Sequence, residues 1–272
     1  MISRADNSPF ARWWWTVDRP AFIAVMMLMF IGLVLAFAAS PAATVGAMAP
    51  HQAKRNAEEH FAITQYPQER SMLEKNAITA TPIHDLLNRR WSPRAFDKSK
   101  AVSRAQINAL IEAARWAPSC NGDEPWRYLV WNRADDAAGW QKAFDCLGEG
   151  NRKWCENVPV LMLSCAGSVF SHNGKPNRFT QHDTGMASVS LSLQAVALGL
   201  AAHQMGGFDA EKARAVFSIP AEYTPMAMIA VGYQADPSVL PDDVKVKELT
   251  PRKRRPIGEC FFAGDWGKPY GG

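Results

Sequence analysis

The sequence predicts an α+β domain behind a distinct N-terminal part. Three observations carry this: helical periodicity with capping signals, short apolar runs of strand length between the helices, and a break in composition near residue 70. With 47% hydrophobic and 21% charged residues, the 272-residue chain can bury a sizeable core, which excludes global disorder and low-complexity fibres. Its net charge of +4 is too mild to imply nucleic acid and suits an anionic cofactor equally well. Five cysteines without a CxxC pair argue against a disulfide framework or a zinc site, and for a reducing compartment.

Taken in order, the chain first shows no Lys, Arg, Asp or Glu between Arg19 and Lys54, and residues 21–39 are continuously apolar. At ~1.5 Å per residue such a helix spans roughly the ~30 Å bilayer core. Trp13, Trp14 and Trp15 would sit at headgroup level, and Arg4, Arg12 and Arg19 would hold the N-terminus in the cytoplasm. A transmembrane helix over 21–39 is therefore expected. A signal peptide cleaved after Ala36-Phe37-Ala38 and a buried core helix are the alternatives. Trp13-Trp14-Trp15-Thr16-Val17-Asp18-Arg19, with Gly32-Leu33-Val34-Leu35 and Ala38-Ala39-Ser40-Pro41, resembles the opening of the SEDS-type peptidoglycan polymerases of cell division. That likeness covers residues 8–45, and the many further spans of those enzymes have no counterpart. Residues 1–45 thus form an N-terminal segment. Residues 46–80, with Pro50 and Pro67 and no sustained period, read as a linker. Met72 lies within it and offers an alternative start.

From residue 81 the elements follow closely. Thr81-Pro82 supplies a capping hydroxyl and a proline for a first helical position, with Ile83, Leu86 and Leu87 on one face. Ser103 and Gln106 form a capping box before Ile107, Leu110, Ile111 and Ala114, and Pro118 ends that helix. Strands are expected over 126–131, 158–165, 201–205 and 226–232. A long helix over 183–200, rich in Gly, Ala and Ser, is expected to be central, and a shorter helix follows the cap Asp209.

Two segments carry the chemistry. Arg89-Arg90-Trp91-Ser92-Pro93-Arg94-Ala95-Phe96 brings three guanidinium groups together, a pattern suited to phosphate; alone it reads as a solvated basic turn. Ala117-Pro118-Ser119-Cys120-Asn121-Gly122-Asp123-Glu124-Pro125-Trp126 is a polar loop between helix and strand. Together they resemble the nitroreductase family of FMN-dependent oxidoreductases. Further segments fall in the family's order: Gly199-Leu200, then His203-Gln204-Met205-Gly206-Gly207-Phe208-Asp209. Arg252-Lys253-Arg254-Arg255-Pro256 and Gly264-Asp265-Trp266-Gly267 follow. The likeness covers about residues 80–268, and the FMN-binding domain is placed at 81–272.

The resemblance implies a mostly antiparallel central sheet flanked by helices, and a homodimer with FMN at its interface. It implies that Arg90 and the cluster at 252–255, chiefly Arg252 and Arg254, hold the FMN phosphate. Ser92 and Arg94 would reach the ribityl chain and the N1/O2 edge, where Arg94 stabilises the anionic reduced ring. Gly206 and Gly207 would offer N–H groups to the N5/O4 side, with Trp91 and Met205 beside them as cofactor-binding residues. No side chain is expected to act as acid, base or nucleophile; Cys120, His182 and His203 read as packing or loop residues. The family's usual amides in the second motif are replaced by Gly122 and Glu124, so Asp123 or Glu124 is expected to take over that contact. The implied activity is hydride transfer from NADH or NADPH to nitroaromatics, quinones or similar flat acceptors. No GxGxxG fingerprint occurs, so a shared site with ping-pong kinetics is expected. Two rivals stand beside this: a membrane-associated cell-division fragment with an incidental flavin domain, and a flavin-binding module without turnover. The catalytic domain is expected in the cytoplasm, with the full-length chain anchored to the inner membrane through 21–39. No metal and no nucleic-acid partner are expected; basic residues 252–255 lack aromatic interleaving.

Overall fold

The computed structural model describes residues 73–270. The 21–39 run and the likeness over 8–45 lie outside them. Among the described residues, no helix is long and apolar enough to cross a membrane.

Four strands form one antiparallel sheet, β1 (Trp126–Asn132), β2 (Val160–Ala166), β3 (Ala201–Met205) and β4 (Thr224–Gly232), in the order β1-β2-β4-β3. β2 is buried at every position because helices cover both sheet faces. On one face Leu161, Leu163 and Cys165 join Trp131, Trp140, Trp154, Phe96 and Met228 in the main core. On the other, Met162 lines a cavity with Ala114 of α2 (Arg104–Arg115) and Leu191 of α5 (Thr180–Ala197). α5 buries Thr180, Asp183, Thr184, Ala187, Ser188, Leu191, Ser192 and Ala195, a helical stripe of mainly small residues. Their short side chains let the helix lie close to the sheet. The remaining helices are α1 (Asp85–Arg89), α3 (Ala137–Phe144), α4 (Glu149–Cys155), α6 (Ala210–Phe217) and α7 (Asp242–Leu249).

Several expected boundaries hold and others shift for local reasons. The capping box at Ser103 and Gln106 is reciprocal, and Asp209 caps α6 by accepting from Lys212 N. β3 has the expected bounds. The first helix does not start at Pro82. His84 Nδ1 accepts from Leu86 N, and Asp85 pairs with Arg89 one turn on, so the helix begins at Asp85 and runs five residues. Ile83 and Leu87 stay exposed. The central helix begins at Thr180 and ends three residues before the expected position. Gly199, at φ +72, takes the left-handed position, and the N–H groups of Gly199 and Leu200 fold back to Val196 O and Ala195 O. The helices α3, α4 and α7 have no counterpart among the expected elements.

Within the expected 46–80 linker, residues 73–77 are tied into the domain. Lys75 Nζ donates to Glu248 O and Thr250 O at 2.7 and 2.6 Å, closing the C-terminal end of α7. Gln234 Nε2 donates to Leu73 O, and Ala77 N to Asn88.

Candidate functional site

The segment from Arg90 to Phe96 has no regular secondary structure apart from a bridge between Phe96 and Gln234, just after β4. Two buried polar groups fix it. His203 projects from β3 on the same face as Ala201 and Met205, its ring lies tilted with its centroid 4.7 Å from that of Trp154, and its Nδ1–H donates to Pro93 O at 2.8 Å. Burial is the main cause of a pKa lowered to about 4, outweighing the carbonyls of Pro93 and Ser92, while Arg94 and Arg90 push the same way as burial. The ring is therefore neutral near pH 7. From α7, the Glu248 carboxylate accepts from Arg94 N and Ala95 N at 2.9–3.2 Å. Arg94 keeps 29% of its side chain exposed, with Nη1 3.8 Å from Glu248 Oε2.

Arg90 lies within electrostatic reach of Arg252 and Arg254. Burial and then the charges of Arg252 and Arg254 lower the Arg90 pKa; burial and then Arg254 lower that of Arg252. Among the described residues, no carboxylate offsets these shifts at either residue. Such a like-charge group is unfavourable alone and fits an anion with several acceptor oxygens. Arg252 also serves the fold, since its Nη1 donates to Lys75 O and Asn88 O. Arg254 is exposed, and its Nη1 bonds only to the neighbouring Lys253 O among the described residues.

At the end of β3, Gly206 has open space where a Cβ would stand. At Gly207 a Cβ would lie 2.9 Å from Asn151 Nδ2, and the Gly207 carbonyl accepts from that amide and from Gly148 N. This loop is thus pinned through one glycine and open at the other. Because His203 lies three residues before Gly206, its bond to Pro93 ties the arginine segment to the glycine loop.

The side chains of two expected site residues are engaged within the fold. The Trp91 ring lies under Lys75 Nζ, 4.6 Å away, and with Pro93 lines a cavity of about 620 Å³ that also contains Leu73, Gly199 and Leu200. The Met205 side chain is buried, with Sδ 3.6 Å from Cys155 Sγ.

The loop of the second motif is held by side chains. Asn121, Gly122 and Glu124 all have positive φ. Cys120 N donates to the buried Asp183, and Glu124 N to Ser119 Oγ. Asp123 accepts from Ser171 N and Oγ and from Asn177 Nδ2, and these bonds, Ser171 first, hold its pKa below the usual range. Asp123 thus anchors the loop. Cys120 is half-buried in this loop, and His182 is exposed on α5 with Nδ1 3.1 Å from Asp183 Oδ1.

Sequence reasoning missed Glu248 and Lys75, which lie in polar stretches without periodicity. His203 was legible in principle, since period-two alternation in Ala201-Ala202-His203-Gln204-Met205 puts it on the core face.

Residues 87–233 match the nitroreductase family. A 15.4 kDa protein of Mycolicibacterium smegmatis is 32% identical over 123 residues, covering 45% of this chain and 81% of its own. A Methanothermobacter thermautotrophicus protein, provisionally named an NADH dehydrogenase/NAD(P)H nitroreductase, is 25% identical over 58% of this chain and 81% of its own. Among solved structures, an oxidoreductase described as containing FMN superposes with a TM-score of 0.67 at 32% identity, over 72% of this chain and 99% of its own. None of these relatives supports the likeness of residues 8–45 to SEDS-type polymerases. The chain belongs to the nitroreductase family.

Proposed function

We propose that this chain is an FMN-dependent oxidoreductase that takes hydride from NADH or NADPH and passes it to a nitroaromatic, quinone or similar flat acceptor. The observation that carries this reading is the family match together with the likeness to an FMN-containing oxidoreductase, and it is supported by the mutual influence of Arg90, Arg252 and Arg254 beside a segment tied by His203 to the glycine loop. Bound FMN supplies the hydride-accepting and hydride-donating ring; the protein supplies binding, orientation and charge. Arg90 and Arg254, with the outer part of Arg252, hold the phosphate. Ser92 contacts the ribityl chain, and Arg94 stabilises negative charge at the N1/O2 edge. Gly206 and Gly207 give N–H groups to the N5/O4 side, where no side chain of Gly206 intervenes. The nicotinamide and the acceptor use one place in turn, giving ping-pong kinetics. Purified full-length protein should carry FMN and oxidise NADH or NADPH with parallel double-reciprocal plots against a quinone. Intersecting plots would refute the shared site, and absence of bound flavin would refute the reading itself.

A homodimer is part of the proposal. Near the C-terminus, Phe262 and Pro269 bridge a short hairpin that leaves Phe261, Trp266 and Tyr270 exposed at 62%, 92% and 64%. Such aromatic surface is better covered by a second copy than left wet; a monomer that retains FMN in sedimentation would overturn this part.

Membrane anchoring through residues 21–39 is the remaining part. A cytoplasmic N-terminus held by Arg4, Arg12 and Arg19 would carry everything after a single span to the opposite face. The described cysteines are all free, which suits the reducing side. A cytoplasmic domain behind that span therefore requires the N-terminus on the opposite face, against the arginine bias, and protease protection in sealed vesicles tests the orientation of any anchored form.

A further inference from the structure

Glu248 is fully buried, near the end of α7, a helix otherwise so polar that it gives the core only Val244. Burying a carboxylate is unfavourable unless donors and opposite charge surround it, and an apolar residue would fill such a place without that penalty. Here the donors are the backbone N–H groups of Arg94 and Ala95, and the nearby charges are Arg94 Nη1 and Lys75. The grip thus falls on the residue whose guanidinium is proposed to face the flavin. It holds that side chain at its root and draws one nitrogen to 3.8 Å, while the tip keeps partial exposure.

We propose that Glu248 is the positioning residue for Arg94, fixing by its carboxylate where the guanidinium meets the N1/O2 edge of the flavin. This rests on the flavin role proposed for Arg94. A side chain set from its root loses little freedom on binding, so its charge is in place before hydride transfer rather than recruited during it. His203 holds the carbonyl of the same peptide unit, whereas the ion-pair contact to the Arg94 guanidinium comes from Glu248, so the aim of that side chain is assigned to Glu248.

The test is a double-mutant cycle in the full-length protein reconstituted with FMN, comparing wild type, Glu248→Gln, Arg94→Ala and the double variant. The readouts are the flavin midpoint potential and kcat for NADH oxidation, with FMN content and melting temperature measured separately. Glu248→Gln should lower kcat about tenfold and shift the potential when Arg94 is present, yet change kcat less than about twofold in the R94A background. Equal effects in both backgrounds would overturn the positioning role and leave Glu248 a purely structural carboxylate. If Glu248→Gln does not fold, Glu248→Asp, which keeps the charge and withdraws it by one methylene, takes its place in the same cycle. Wild-type protein that binds no FMN would overturn the proposed function, and this role with it; that result is distinct from equal effects in a flavin-loaded enzyme.

Discussion

Arg94 and Arg254 carry the same guanidinium, yet Arg94 leaves a segment gripped by buried Glu248 and His203, whereas Arg254 leaves an exposed strip and bonds only its neighbour's carbonyl among the described residues. The contrast matches two different roles. A group that stabilises developing charge must stand still, because reorganisation during the reaction subtracts from its effect. A group that only retains a phosphate can close on it after arrival, and the loss from ordering then falls on affinity alone. Arg252 falls between the two, since part of its guanidinium is already engaged by Lys75 O and Asn88 O.

Removing what underlies the grip should do the most damage. A chain lacking residues 1–71 should keep its fold and its FMN, because residues 73–77 remain tied in. A chain lacking residues 1–80 loses both Lys75 bonds and the carbonyl that Arg252 holds. At ~1.5–3 kcal/mol for each charged hydrogen bond, it should melt several degrees lower and retain FMN poorly. Equal melting temperatures for the two truncations would show that the 73–77 segment contributes nothing.

Next comes acid sensitivity. The folded-state pKa of His203 is depressed to about 4 from an ordinary 6.5. As pH falls through that window the unfolded chain takes up a proton that the folded chain excludes, so stability is full above 6.5, declines toward 4 and levels off below. The loss is about 3 kcal/mol on the usual conversion. Denaturant titrations from about pH 7 to about pH 4 should show this slope, and His203→Gln should remove it; an unchanged slope in that variant would assign the effect to other groups.

Only one side of this contrast is legible in the sequence. The arginine motif, the glycines, the capped helix at Ser103 and the bounds of β3 follow from local spacing, and their roles come with the family likeness. Local spacing could not show which polar residues would be buried. Glu248 sits among Asp242, Asp243, Lys245 and Lys247 in a helix that looks solvated, and only the return of the chain past Arg94 buries it. The same holds for Trp91 and Met205, whose side chains the tertiary fold turns to Lys75 and to the core. At the second motif, Asp123 reads as a substitute for a missing amide, but Ser171 and Asn177, some fifty residues on, claim its carboxylate.

Two smaller effects separate aiming from retaining. Arg94→Ala should slow NADH oxidation roughly ten- to hundredfold and lower the flavin potential, with FMN largely retained. Arg254→Ala should weaken FMN retention by about tenfold or less while leaving the turnover of loaded enzyme unchanged, as expected of an exposed charge. If the two variants exchanged behaviour, that division of roles would be wrong.

Both roles presuppose that Arg90, on the gripped segment, and the exposed C-terminal strip close on one phosphate. Titration of full-length protein with FMN, followed by quenching of flavin fluorescence, asks this of the molecule itself. We predict saturation at one FMN per chain, with affinity reduced at least about tenfold by Arg90→Ala. An Arg90→Ala protein that binds FMN as tightly as wild type would contradict it.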